Sequence, residues 1–336
     1  MRSSTTLVLL FAASAALGQP PAGYYDTAAG LSGEPLRQAL HDIIDGHNSL
    51  SYAQLWSAFQ TTDVRPDGKV WDIYSDVPGG TAPYSYTFVN DQCGTYNSEG
   101  DCYNREHTFP SDWFNDAFPM YTDLFQVMPT DGFVNNKRGN LPYGLVGAVD
   151  WTSQNGTRTG MANVQGYSGT VCEPIDAFKG DVARNYFYML TRYKDEAVSW
   201  NSDMLANGDL SNWAEYLLLQ WHQNDPVDTK EQARNNAVFA LQGNRNPYID
   251  HPEWVASVWG ATASIPDHQP GGGPVLRGDV LSYPLGGIPS GPVRVLDMLG
   301  RPVWASPWSG AELRMPDLPG GTYLVWHGPY TLRFTR

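Results

Sequence analysis

The chain has 336 residues, 21 Lys and Arg against 35 Asp and Glu, a formal net charge of -14, and 13% aromatic residues. That length holds one large domain and a small one, and so much apolar and aromatic mass excludes an intrinsically disordered chain. The charge argues against a molecule that grips nucleic acid nonspecifically over its whole surface, because phosphate attracts lysine and arginine.

Arg2, the apolar run Leu7 to Leu17 and the small-x-small site Ala16-Leu17-Gly18 read as an export signal over residues 1–18, with the mature chain starting at Gln19. The run is too short to span a bilayer, and no later segment is long enough. Export permits disulfides. Cys93 and Cys102 lie in a Gly/Asn/Ser-rich loop that suits a bridge, and Cys172 is left over as a buried thiol.

Residues 34–60 read as helix, with Leu36, Leu40, Ile43 and Ile44 at helical spacing and a second apolar face at Leu55 and Phe59. Residues 70–90 read as strand and loop, VWDIYSDV and then the alternating YSYTFVN. In DLFQVMPTDGFVNNKRGN (123–140), a turn at Pro129 to Gly132 precedes a helix starting near Asn135. Residues 141–172 are glycine-rich and read as irregular. Asp181 to Tyr193 is a strong helix, and 213–222 is another. A further helix over 229–242 begins at Asp228-Thr229 and ends at Gly243. Residues 244–259 close a domain over 19–260. Residues 261–274 form a Pro/Gly linker. Residues 275–336 form a small antiparallel β module with strands at 293–297 and 322–327.

The chemistry concentrates in CGTYNSEGDCYNREHTFPSDWF, Cys93 to Phe114. Glu106 is a carboxylate suited to a hard cation, and His107 beside it is an imidazole suited to activating water. On an extended strand the two point to opposite sides. The bland alternatives are a loop-capping histidine and a plain ion pair of Glu106 with Arg105. Residues 123–194 hold seven basic side chains (Lys137, Arg138, Arg158, Lys179, Arg184, Arg192 and Lys194), room for a local positive groove in an acidic body. Arg184 sits in an apolar helix, where it either pairs with Asp181 or Glu173 or faces a phosphate. Asn135 is either a helix cap or a ligand. Arg245 and His251, in QGNRNPYIDHPEW, read as a packed structural turn, and aromatics near 143–167 as core rather than base-stacking groups. No His-Glu-x-x-His spacing occurs, which sets aside a zinc protease.

The 93–114 stretch, VNNKRGN (134–140), GDVARNYFYM (180–189) and QGNRNPYIDHPEW (242–254) occur in register and resemble the endonuclease I family of secreted bacterial nucleases, within the His-Me finger group. The resemblance covers residues 20–260. It implies an α+β, mainly helical domain containing a ββα-metal finger. It also implies a Mg²⁺ site (Mn²⁺ or Ca²⁺ as alternatives) that cleaves DNA and often RNA to 5′-phosphate ends. His107 falls on the general base, Glu106 on a metal ligand and Asn135 on the second ligand. Some relatives carry an arginine after the Glu-His pair that steadies the cleaved phosphate. This chain has none between His107 and Lys137, so Arg138 and Arg184 are the candidate replacements. Phe125 stands where some relatives have a histidine.

The tail, through VRVLDMLGRPVW (293–304) and LPGGTYLVWH (318–327), resembles the C-terminal sorting domain of type IX secretion substrates. It implies a β-sandwich-like module read by that secretion machinery, and a protein that is released or attached at the cell surface. A monomer is expected. The competing functions are a secreted metal phosphodiesterase acting on a substrate other than polynucleotide and a catalytically retired surface-binding protein.

Overall fold

The computed structural model describes residues 19–260, 275–283, 291–297, 301–308, 312–327 and 330–336; the predicted export signal and linker lie outside the described residues. In α1 (Gly33–Ile44), Leu36, Leu40 and Ile44 recur every fourth residue and are fully buried. The chain then turns extended at Asp45, and Gly46 takes a φ of 70°. A left-handed glycine cannot continue a helix, so the expected single helix over 34–60 is two. The second, α2 (Leu55–Thr62), buries Leu55, Ala58 and Phe59.

Residues 70–90 form no strand; they make an isolated bridge between Val64 and Val70 and scattered backbone bonds such as those from Val70 to Tyr86 and from Trp71 to Asp63. The alternation of YSYTFVN is still used. Tyr84, Tyr86 and Phe88 turn one face of the loop onto Tyr103, but no ladder partner lies beside them.

That Tyr103 opens β1 (Tyr103–His107), which pairs antiparallel with β2 (Val127–Asp131), setting Glu106 opposite Met128 and His107 opposite Val127. α3 (Gly132–Arg138) follows at once and packs on both strands. Asp131 caps it by accepting from the Val134 amide at 2.8 Å. The helix therefore starts three residues earlier than expected, and Asn135 lies inside it rather than capping it.

Residues 141–172, read as irregular, contain a three-stranded antiparallel sheet of β3 (Val146–Thr152), β4 (Arg158–Ala162) and β5 (Thr170–Glu173). Glycine disguises it. A Cβ on Gly160 would meet the Ala148 carbonyl oxygen at 2.1 Å, where the β3–β4 register shifts, so this glycine permits close strand approach rather than marking a loop.

α4 (Lys179–Arg192) is buried along nearly its whole length. It packs against α1 and against α5 (Asn212–Asn224), which follows a short hairpin of β6 (Leu205–Ala206) and β7 (Asp209–Leu210). α6 (Thr229–Gln242) has the expected ends. Asp228 and Glu231 form a reciprocal capping box, and Gly243 closes the helix at a φ of 80°. α7 (Pro247–Asp250) and α8 (Glu253–Val258) complete this body.

Among the described C-terminal residues the regular elements are strands: β8 (Val275–Arg277), β9 (Val280–Ser282), β10 (Pro292–Asp297), β11 (Pro302–Pro307), β12 (Glu312–Arg314), β13 (Thr322–His327) and β14 (Tyr330–Thr335). They form two antiparallel sheets, ordered β12-β9-β8 and β11-β10-β13-β14, with a core of their own around Leu281, Val293, Val295, Tyr323 and Val325.

Cys93 and Cys102 form the expected bridge, with Cα atoms 5.7 Å apart, just before β1. Replacing both by serine is expected to lower the unfolding free energy by about 3 kcal/mol through loss of the closed loop, read from urea unfolding at fixed pH.

Candidate active site

β1 divides the site by the strand's two-residue period. Asn104 and Glu106 face α3, whereas Arg105 and His107 face the opposite way, towards Tyr52. The expectation of opposite-facing neighbours thus describes how the pair is set.

On the α3 side Glu106 is 2% exposed. Its Oε1 accepts from the Tyr74 hydroxyl at 2.7 Å and from Arg138 Nη1 at 3.0 Å, and the Tyr143 hydroxyl lies 2.7 Å from that of Tyr74. Burial pushes the Glu106 carboxyl above the usual carboxylate range, and the Arg138 charge and the Tyr74 hydrogen bond pull against it. The ion pair is therefore with Arg138, not Arg105.

Asn135, on α3, donates through Nδ2 to Asn104 Oδ1 at 2.8 Å and to the Arg105 carbonyl at 3.4 Å. Only an amide NH₂ can face a carbonyl oxygen, so this contact fixes which end of the amide is which and leaves Oδ1 as the outward acceptor. The Asn135 amide lies against the peptide joining Arg105 to Glu106. Among the described residues no three His, Cys, Asp or Glu side chains are arranged so that they could hold a metal ion. A cation held here would rest on two protein oxygens, one carboxylate and one amide, with water completing the shell. Mg²⁺ accepts that arrangement because it keeps several of its waters.

On the other side His107 is 9% exposed and lies parallel to two rings, Tyr121 with centroids 4.8 Å apart and Tyr52 with centroids 6.2 Å apart. Its Nε2 lies 3.0 Å from the Tyr121 carbonyl oxygen. A carbonyl can only accept, so Nε2 carries the hydrogen and Nδ1 carries the lone pair. Burial lowers the imidazole pKa to about 4, with Arg138 and Arg105 acting in the same direction and the Tyr121 carbonyl and Asp116 opposing. The ring is neutral at pH 7 with its basic nitrogen defined.

The two candidate phosphate arginines lie elsewhere than that role requires. Arg138 is 1% exposed and every nitrogen is engaged: Nε with the Leu141 carbonyl, Nη1 with Glu106 and the His107 carbonyl, Nη2 with the Thr108 carbonyl. Arg184 is fully buried. It makes a two-point bridge to Glu231 at 2.5 and 2.7 Å, reaches Asp181 at 3.4 Å and bonds the Asp225 carbonyl. Sealed and saturated guanidinium groups have no donor to offer a phosphate, so both arginines position the fold instead. Four of the five other basic side chains expected in the positive groove are paired with carboxylates too. Arg158 and Lys179 pair with Glu173, Arg192 with Asp45 and Lys194 with Glu34. Lys137 is exposed and lies 5.4 Å from the Phe133 ring. Arg245, bonded twice to Asp250, is a structural strut, as its turn suggested. Cys172 is a buried thiol whose pKa burial raises to about 12.

Three contributors escaped sequence reasoning. The Tyr121 carbonyl has no side-chain signal. Tyr74 and Asn104 meet the site only through tertiary packing, although Asn104 stands two residues before Glu106 and so shares its face of the strand.

Comparison with known proteins gives a consistent picture. Residues 32–253 match the sequence profile of Endonuclease I. The chain is 36% identical over 247 residues to an extracellular ribonuclease of Bacillus amyloliquefaciens, covering 70% of this chain and 78% of that protein. It is 33% identical over 266 residues to an extracellular ribonuclease of Bacillus subtilis (strain 168), covering 76% and 85%. An extracellular deoxyribonuclease of Aeromonas hydrophila is 23% identical over 221 residues, covering 64% and 86%.

Replacing Arg138 or Arg184 by methionine leaves a buried carboxylate without its partner. Each variant is expected to lose about 3–5 kcal/mol of stability in denaturant unfolding. A surface arginine serving only a phosphate would lose activity at unchanged stability, so the two roles separate cleanly.

Proposed function

This chain belongs to the endonuclease I family, and we propose that it is a secreted, metal-dependent, nonspecific endonuclease that hydrolyses phosphodiester bonds of DNA and RNA to 5′-phosphate ends. The nuclease class follows from the family. The substrate range is supported by relatives named for ribonuclease and for deoxyribonuclease activity, and secretion by their extracellular names.

One observation carries the mechanism: the Nε2 contact of His107 with the Tyr121 carbonyl, which leaves Nδ1 as a neutral base. Nδ1 takes the proton of the attacking water. Glu106 and Asn135 are the residues that would hold Mg²⁺, or Mn²⁺ or Ca²⁺ in its place. The Glu106 ligand would be Oε2, since Oε1 already accepts from Tyr74 and Arg138. A bound divalent ion would supply charge stabilisation for the phosphorane and the departing oxygen. Tyr74 and Arg138 fix the carboxylate, and Asn104 fixes the Asn135 amide, so neither must reorganise when charge develops. The order β1, β2, α3, with the base at the end of the first strand and an amide on the helix, supports reading this unit as a ββα-metal finger. The C-terminal strands we read as a type IX sorting module, an export address without a catalytic part.

A plasmid-nicking assay tests the proposal. Cleavage is expected in Mg²⁺ and not in EDTA. His107→Ala is expected to lose about 10²- to 10⁴-fold in rate while its thermal midpoint stays within a few degrees of the parent. Near-parental nicking by that variant would refute the assigned base.

A further inference from the structure

Beside His107 the surface carries a cluster of rings that the mechanism above does not use. Tyr121, which stacks with the imidazole, has the Tyr52 ring 4.7 Å away and the Phe118 ring 5.5 Å away, centroid to centroid. Phe118 is 60% exposed, and Tyr52 and Tyr121 are each half-buried. The Arg105 guanidinium lies over Tyr52, 3.5 Å from the centre of that ring and 4.3 Å from that of Trp56. Its Nη1 is held by the Tyr52 carbonyl at 2.9 Å, and its buried Nε has no hydrogen-bond partner. Arg105 and His107 share a face of β1, two residues apart.

Single exposed apolar side chains are ordinary on protein surfaces. This one packs against Tyr121, which itself meets the Tyr52 and His107 rings, and Tyr52 carries the Arg105 guanidinium. The charges beside the cluster differ: Asp116, two residues before Phe118, is an exposed carboxylate, and Arg105 lies over Tyr52, so a phosphate is favoured on the Arg105 side. An exposed ring, a nearby carboxylate and a distant guanidinium suit one occupant: a nucleotide whose base lies on Phe118 and whose backbone runs towards Arg105.

We propose that Phe118, Tyr121 and Arg105 form a subsite for an unpaired nucleotide flanking the scissile phosphate, so that the enzyme favours single-stranded over duplex substrates. The proposal rests on the nuclease reading of His107 and adds the strandedness of the substrate. A base can stack on Phe118 only when both of its faces are not already covered by neighbours, which holds in single strands, loops and ends and fails inside a duplex.

The test measures binding of a fluorescent single-stranded DNA 12-mer, and of a hairpin duplex of equal mass, to the full protein in EDTA, where cleavage is not expected. Phe118→Ala is expected to weaken single-strand binding about 5- to 100-fold and to leave hairpin binding within twofold. Phe118→Leu, which keeps the apolar surface without the π-face, should lie near the alanine variant. Arg105→Gln should reduce the slope of log affinity against log salt by about 0.7, the share of one phosphate contact on a single strand. Thermal midpoints check that each variant is folded. Single-strand binding by the folded Phe118 variants equal to that of the parent overturns the subsite. So does a parent that binds hairpin and single strand alike. A parent that cleaves neither plasmid nor single strand in Mg²⁺ overturns the nuclease reading itself, a different outcome from either.

Discussion

One buried guanidinium sets the geometry on which the site depends. Arg138 gives up its hydration entirely, and what offsets that cost is spread over the Glu106 carboxylate, the carbonyls of His107, Thr108 and Leu141, and the face of Tyr143. Two of those carbonyls lie at the end of β1, and the third lies just past α3. The strand carrying Glu106 and His107 and the helix carrying Asn135 are therefore tied by the same charge. Asn135 and Arg138 stand three residues apart and so share a face of α3. The amide reaches the peptide before Glu106 while the guanidinium reaches Glu106 itself. Neither element can shift without leaving an ion or a carbonyl unpaired in the interior.

The strand's alternation then separates two electrostatic tasks that would interfere on one surface. A carboxylate that is to attract a cation and an imidazole that is to stay neutral want opposite surroundings. On the α3 side, hydroxyls and a guanidinium gather round Glu106. On the other side, rings desolvate His107, and the nearby Arg105 and Arg138 charges also favour its neutral form. A backbone carbonyl selects the tautomer, and a carbonyl cannot titrate, so the orientation of the ring does not depend on pH.

Much of this was legible in the sequence where local rules act. The helix over 229–242 announces itself through an aspartate cap and a closing glycine, and both ends are where those signals put them. The bridge of Cys93 to Cys102 follows from spacing and export. The C-terminal strands follow from alternation. What was not legible depends on partners distant in sequence. Residues 141–172 read as irregular because glycine is ambiguous: Gly160 is there to let Ala148 approach, a fact visible only once β3 and β4 are paired. The partner of Arg138 could not be read, and that of Arg184 was left open between Asp181, Glu173 and a phosphate, because Glu106 and Glu231 lie 32 and 47 residues away. The helix cap at Asp131 went unread because the turn before it drew the boundary three residues too late.

The same internal pairing explains how an acidic chain can handle an acidic polymer. Arg37, Arg138, Arg184, Arg192, Arg234 and Arg245 are all matched to carboxylates within the fold. These cations stabilise the protein and contribute little field at its surface, and all of the window that looked basic in sequence except Lys137 is paired with carboxylates. A substrate held by a broad positive groove would bind wherever phosphate met lysine, and salt would weaken it steeply. With no such groove among the described residues, the grip on phosphate would fall to the cation proposed at Glu106 and Asn135 and to few side-chain charges, with uncharged surface carrying the remainder. Rings can do this because stacking neither needs net charge nor reads base identity. An acidic nuclease is therefore consistent in its physics: long-range repulsion limits idle adhesion and leaves the holding of substrate to short-range contacts near the imidazole.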